Sequence, residues 1–234
     1  MATPGSESAG GRRVSRRAWG MATACAALVG RRSPADETDA GRDRSPPSPG
    51  GVRTGVFGLE ARGNRFVYVF DRSASMGEPE GRPLAAAKRE LLRSIDDLGE
   101  VQQFSIIFYN DRLHVFSPTG GRIRQEFATE DNRRAAGRFV AAVRATGGTR
   151  HAEALAAAFR LDPDAVFLLT DADAKDDLTA AEVERLARLG AGTRCLIGQF
   201  GDDATRSPGL ADLAARCGGT YRTVTVETAE GERP

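Results

Sequence analysis

Along most of this chain, compact runs of bulky apolar residues alternate with longer stretches in which apolar residues recur at helical spacing. Phe66-Val67-Tyr68-Val69-Phe70 is β-branched or aromatic throughout, with no polar alternation, and predicts a strand buried on both faces. Phe104 to Tyr109, Ala165 to Asp171, Arg194 to Phe200 and Tyr221 to Val226 read the same way, and Leu113 to Phe116 is a shorter strand after an Asn110-Asp111 turn. Between them lie helical patterns. Leu84, Ala87, Leu91, Ile95 and Leu98 mark one apolar face, stopped by Gly99. Ala135, Ala136, Phe139, Val140 and Val143 mark the next, with Thr129 or Asp131 as N-cap. Ala152, Leu155, Ala156 and Phe159 form a third that ends near Asp162-Pro163. Thr179 to Glu182 has capping-box spacing and opens a helix ending at Gly190. Ser207-Pro208 starts a last helix, which runs through Cys217 to Gly218-Gly219.

Strand alternating with helix implies parallel pairing through right-handed crossovers, hence an α/β sheet covered by helices on both faces. A hydrophobic content of 40% in 234 residues supports one such core plus an extension. The expected organisation is a disordered basic leader over 1–50, a lead-in over 51–64 around Val56-Phe57-Gly58-Leu59, the folded domain over 65–228, and a disordered tail over 229–234. There is no internal repeat.

In the leader, Arg12-Arg13 and Arg16-Arg17 precede a weakly apolar stretch, Ala18 to Gly30, and then a Pro, Ser, Arg and Asp mixture. Two readings stand. One is an export signal, with Ala22-Thr23-Ala24-Cys25 as a faint lipoprotein-like cleavage site, which places the protein outside the cytoplasm or at the cell envelope. The other is an uncleaved disordered segment on a cytoplasmic protein. No apolar run approaches the length of a membrane-spanning helix. A net charge of +1 with 28% charged residues gives no basis for nucleic-acid binding. Cys25, Cys195 and Cys217 make neither a disulfide framework nor a zinc cluster; Cys195 and Cys217 read as buried free thiols, with a bridge between them as the lesser alternative.

The chemistry concentrates where three of these elements end. Asp71-Arg72-Ser73-Ala74-Ser75 follows the first buried strand and sets a carboxylate and two hydroxyls at every second position of a turn. Such an all-oxygen set suits a hard divalent cation, Mg²⁺ above all. Thr149 follows Gly147-Gly148 at a helix entry, and Asp171 ends another buried strand behind Thr170. Each also suits a plainer role: turn hydrogen bonds for the Asp and serines, an N-cap for Thr149, a loop cap for Asp171.

Taken together, Asp71, Ser73, Ser75, Thr149 and Asp171 resemble the metal-ion-dependent adhesion site (MIDAS) of the von Willebrand factor type A family. Its pattern is D-x-S-x-S, a distant Thr after glycine, and Thr-Asp at the end of a hydrophobic strand. The resemblance covers about Arg65 to Val226. It implies a doubly wound, mostly parallel six-stranded sheet with one short antiparallel edge strand, supplied by Leu113 to Phe116, and Asp71 at the topological switch point. It also implies a bound Mg²⁺, with Mn²⁺ or Ca²⁺ as substitutes, and a protein partner that offers Glu or Asp to the ion. The chain departs from many members at Ala74 and in the acidic run after Asp171, where Asp173 either adds a ligand or is solvated.

Catalysis is not expected. Of two histidines, His114 falls on the short edge strand and reads as a surface residue, while His151 reads as a solvent-exposed residue of a first helical turn. No Ser–His–acid set and no phosphate-binding G-x-x-x-x-G-K-[ST] occurs. The alternative is a Mg²⁺-dependent phosphatase of haloacid dehalogenase type, with Asp71 as nucleophile and Asp171, Asp173, Asp176 and Asp177 as the acidic cluster. That family needs a second aspartate where this chain has Ser73, and a serine cannot act as general acid at neutral pH.

Overall fold

The computed structural model describes residues 50–171 and 174–225. The expectations for the leader, for Asp173, for Val226 and for the tail lie outside the described residues. Five strands form the parallel centre: β3 (Arg65–Asp71), β4 (Gln103–Tyr109), β7 (Ala165–Thr170), β8 (Arg194–Phe200) and β9 (Thr220–Val224). Two short strands, β5 (Leu113–Val115) and β6 (Glu126–Phe127), pair antiparallel with β4. The order β5-β4-β3-β7-β8-β9 is the six-stranded, doubly wound sheet expected from the sequence, with two-residue β6 added against the start of β4.

Because side chains alternate across a strand, an unbroken apolar run feeds two cores at once. Tyr68, Phe70, Phe108 and Phe167 face one side, under α1 (Arg82–Asp96) and α2 (Glu130–Ala142). Val67, Val69, Val166 and Ile197 face the other, under α3 (His151–Phe159), α4 (Ala180–Leu189) and α5 (Pro208–Arg216). The helix starts follow local chemistry. Thr129 caps α2 by accepting the Asn132 N–H, and Thr179 and Glu182 form the reciprocal capping box of α4. Cys195 and Cys217 are buried free thiols; burial pushes Cys217 up to about 11.

The lead-in takes a more definite form than expected. Strands β1 (Val52–Val56) and β2 (Leu59–Gly63) make an antiparallel hairpin around Phe57 and Gly58, both in the left-handed region at φ +49° and +71°. Positive φ at both turn positions is the geometry that matches the twist of a two-residue hairpin. Val56, Leu59 and Ala61 enter the core under α1, and the Phe57 ring meets Phe200 edge-on at 5.4 Å. The buried Thr54 hydroxyl donates to the Ser94 carbonyl at 2.7 Å and lies 2.6 Å from the Ser94 hydroxyl, which in turn meets Tyr68 Oη at 2.8 Å.

Candidate metal centre

From β3 the chain steps to β4 on one side, then crosses over to β7 on the other. The crossovers leave β3 in opposite directions, which opens a crevice at the carboxyl ends of these strands. Asp71, the last residue of β3, lies at the floor of that crevice and is fully buried. Its Oδ1 accepts the Ser73 N–H at 2.7 Å, and its Oδ2 accepts the Thr170 hydroxyl at 2.6 Å. Burial pushes its carboxyl up to about 6, against the pull of the Thr170 and Ser73 hydrogen bonds.

Above it, three more oxygens converge. Ser73 Oγ and Ser75 Oγ are 3.1 Å apart, and the Ser75 hydroxyl donates to Asp171 Oδ1 at 2.9 Å. Adjacent corners of an octahedron with metal–oxygen distances of about 2.0–2.1 Å are separated by about 2.8–3.0 Å, so this spacing fits a Mg²⁺-sized ion. The donors are hydroxyl and carboxylate, as a hard cation requires. Among the described residues no group of three or more His, Cys, Asp and Glu side chains is placed to hold a metal, so an oxygen site with hydroxyl members is the one to consider.

Thr149 belongs to the loop before α3. It is half-buried and takes no part in the Asp71–Ser73 and Ser73–Ser75–Asp171 hydrogen bonds described above. Nor does it cap α3: the N-cap is Arg150, with no side-chain capping bond. Its loop is nevertheless fastened to the Asp71–Ser75 turn. The Ala74 N–H donates to the Gly147 carbonyl at 3.0 Å, and the Thr146 N–H to the Arg72 carbonyl at 2.8 Å. Arg72 reaches Thr146 Oγ1 at 3.1 Å and Asn110 Oδ1 at 3.3 Å, and Asp111 Oδ2 accepts the Gly148 N–H at 2.8 Å. Gly147 has φ +79°, and a Cβ there would come within 2.5 Å of Asp111 Oδ2 and 2.8 Å of Asn110 Nδ2. The tight glycine turn thus depends on the chain after β4 as well as on its own residues.

Several of these positions carry no signal in the sequence pattern. Thr170 stands beside Asp171 in the strand motif, but its bond to Asp71 emerges only from the pairing of β3 with β7. Asn110 and Asp111 read as turn residues and prove to be the anchor of the Thr149 loop. His151 is a correction: it is 2% exposed, not solvent-exposed. The first turn of α3 lies against the end of β4, where Tyr109 Oη meets His151 Nδ1 at 2.7 Å, and burial lowers the imidazole to about 4. His114 is on the surface as expected, its ring stacked on Phe139 at 4.7 Å.

No protein-family model matches the chain, and no curated protein matches it. Solved structures do. A von Willebrand factor type A protein from Catenulispora acidiphila aligns with a TM-score of 0.62 and 25% identity, over 76% of this chain and 44% of that one. The conserved hypothetical protein BatB from Bacteroides thetaiotaomicron gives a TM-score of 0.53 and 16% identity, over 72% of this chain and 94% of that one. Proximal thread matrix protein 1 from the mussel byssus, with a zinc-occupied MIDAS motif, gives 0.52 and 17% identity, over 70% of this chain and 42% of that one. This chain therefore spans less than half of the first and third proteins.

Proposed function

This chain has the von Willebrand factor type A fold, and from that fold we propose that it is a divalent-metal-dependent protein-binding module. The observation that carries the reading is the continuous oxygen path from Ser73 through Ser75 to Asp171, set over the buried Asp71 at the switch point of the sheet. Ser73, Ser75 and Thr149 would hold the ion through their hydroxyls, and Asp71 and Asp171 through carboxylates, directly or across water. Bound there, Mg²⁺, or Mn²⁺ or Ca²⁺ in its place, would supply an exchangeable coordination position for a Glu or Asp side chain of a partner protein. The zinc-occupied motif of the mussel protein, which shares the fold, supports a divalent ion at this place.

The protein's own residues set the terms of that binding. Thr170 and the Ser73 amide hold Asp71 in one orientation, so no rotamer has to be selected when a cation arrives. Neutral hydroxyl ligands cancel none of a cation's charge, which leaves it attractive to a further carboxylate. The phosphatase reading is disfavoured because Ser73 stands where that family needs a second aspartate, and a serine cannot act as general acid at neutral pH.

Capture from a cell extract on the immobilised full chain tests this function. Partners retained in Mg²⁺ should be released by chelator and should not be retained by Ser75→Ala. Partners held equally in all three conditions would overturn the reading, as would metal-dependent hydrolysis of an aryl phosphate abolished by Asp71→Asn.

A further inference from the structure

The charged residues around the crevice are divided by sign. On the flank of β7 lie Asp171, Asp176 and Asp177. On the flank of β4, the turns after β3 and β4 carry Arg72 and Arg112, the end of α2 carries Arg144, and Lys88 reaches over from α1. These four cations are strung on shared neutral acceptors. The Val143 carbonyl accepts from Lys88 Nζ at 2.7 Å and from Arg144 Nη1 at 3.1 Å, so the two charges lie within about 6 Å of each other. The Arg144 carbonyl accepts from Arg72 Nη1 at 3.2 Å. Asn110 Oδ1 accepts from Arg72 Nη2 at 3.3 Å and from the Arg112 N–H at 3.0 Å.

Elsewhere on the surface Arg82, Arg134, Arg150, Arg188 and Arg216 each meet a carboxylate. Among the described residues none of these four does. The acidic side chains on the same turns are Asp111, which is engaged by the Gly148 N–H at 2.8 Å, and Glu78, which is exposed. Like charges held this closely repel one another unless an anion lies against them. Burial lowers the Lys88 ammonium and Arg144 lowers it further; burial and then Arg72 do the same to the His114 imidazole. With a net charge of only +1 on the chain, this is a local field and not general basicity. Arg112 and Arg144 are exposed, so a partner reaches them. The row also adjoins the candidate metal position, because Thr146, in the loop of Thr149, donates its N–H to the Arg72 carbonyl at 2.8 Å.

We propose that this row selects the partner: it takes an acidic protein segment, whose further Glu or Asp side chains lie over Arg144 and Arg112 while one carboxylate occupies the metal. The proposal rests on the metal-dependent reading above for that anchor. A nucleic acid fits less well, because its continuous phosphate charge would run on to Asp171, Asp176 and Asp177 on the other flank.

The test uses the full chain and two fluorescein-labelled probes, a peptide with one Glu among glycines and a pentaglutamate, followed by polarisation in Mg²⁺ and in chelator. In Mg²⁺ the pentaglutamate should bind about fivefold tighter or more, an advantage that shrinks as salt is raised. Arg112→Glu and Arg144→Glu should each cut that advantage about two- to fivefold without weakening Mn²⁺ uptake measured by calorimetry. The Arg112 side chain makes no hydrogen bond among the described residues, so its variant should fold like the parent even if Arg144→Glu loosens the end of α2. Arg160→Glu makes the same change of net charge at the far end of α3 and should leave the advantage intact. Equal binding of the two probes, no binding of the pentaglutamate by protein that takes up Mn²⁺, or an equal effect of Arg160→Glu would overturn the proposal. So would a DNA oligonucleotide of the same charge that displaces the labelled pentaglutamate more readily than unlabelled pentaglutamate does. Pentaglutamate binding that depends on Arg112 and Arg144 but is the same in Mg²⁺ and chelator would uphold the row and overturn the metal reading alone.

Discussion

The Ser75 hydroxyl donates to Asp171 Oδ1 at 2.9 Å across 96 positions of sequence. This bond joins the turn after β3 to the end of β7, strands that pair in parallel from Phe66–Ala165 to Phe70–Leu169. Parallel register delivers both strand ends to one level, so oxygens from distant segments meet without a dedicated scaffold.

Asp71 should destabilise the metal-free protein. Its carboxyl is raised from 3.8 to about 6 by burial, so at neutral pH it is ionised against a desolvation cost. A shift of this size corresponds to about 3 kcal/mol at most. Asp71→Asn keeps an acceptor for the Ser73 N–H and supplies a donor to Thr170. In chelator at pH 7.5 it should raise the melting temperature by a few degrees and abolish any rise on adding Mg²⁺. Calorimetry of both proteins checks this; a less stable variant in chelator would contradict it.

The pH dependence follows with its sign. The folded pKa lies above the unfolded one, so the folded state binds the extra proton between them, and this contribution to stability is fully present below about pH 4 and lost as pH rises through 6. Metal binding must displace that proton, so affinity should fall below pH 6. Urea denaturation of parent and Asp71→Asn between pH 4 and 8 measures the difference. The parent should lose ground to the variant as pH rises, and the opposite trend would be wrong for this site.

Gly147→Ala should disturb the Thr149 loop. The added Cβ meets Asp111 Oδ2 at 2.5 Å in a left-handed backbone, a cost of about 1–3 kcal/mol. Gly121→Ala is the control: its φ is +95°, but a Cβ there meets nothing within 4 Å. Both should lower the melting temperature, and only Gly147→Ala should also weaken metal binding. Equal metal affinity in the two variants would remove this loop from the site.

Thr54→Val separates the hairpin from the site. The hydroxyl lost is buried and bonded to Ser94, so the change should cost about 1–2 kcal/mol. The metal-induced shift in melting temperature should be unchanged. A stability change within about 0.3 kcal/mol would mean that the hairpin is not fastened through this bond.

The sequence made the central strands legible because both faces of β3, β4, β7 and β8 are buried, which leaves unbroken apolar runs such as Phe66 to Phe70. The five candidate residues could be proposed from the sequence because the D-x-S-x-S turn, Thr149 and Asp171 each sit at an element boundary that periodicity locates. The hairpin was not, since Arg53, Glu60 and Arg62 interrupt two five-residue strands whose apolar side is supplied by Val52, Val56, Leu59 and Ala61. His151 was misjudged because a first-turn position shows its exposure only when the neighbouring strand end, here Tyr109, is in place. Thr170, Asn110 and Asp111 act through contacts that local pattern does not encode.

The central claim is that Asp71, Ser73, Ser75, Thr149 and Asp171 form one divalent-cation site, and titration calorimetry of Mn²⁺ into chelator-stripped full chain measures it most directly. The account predicts a single saturable site competed by Mg²⁺, weakened tenfold or more (about 1.4 kcal/mol) in Ser75→Ala and lost in Asp71→Asn. Binding that is unchanged in both variants, or a parent protein that takes up no ion at millimolar concentration, would contradict it.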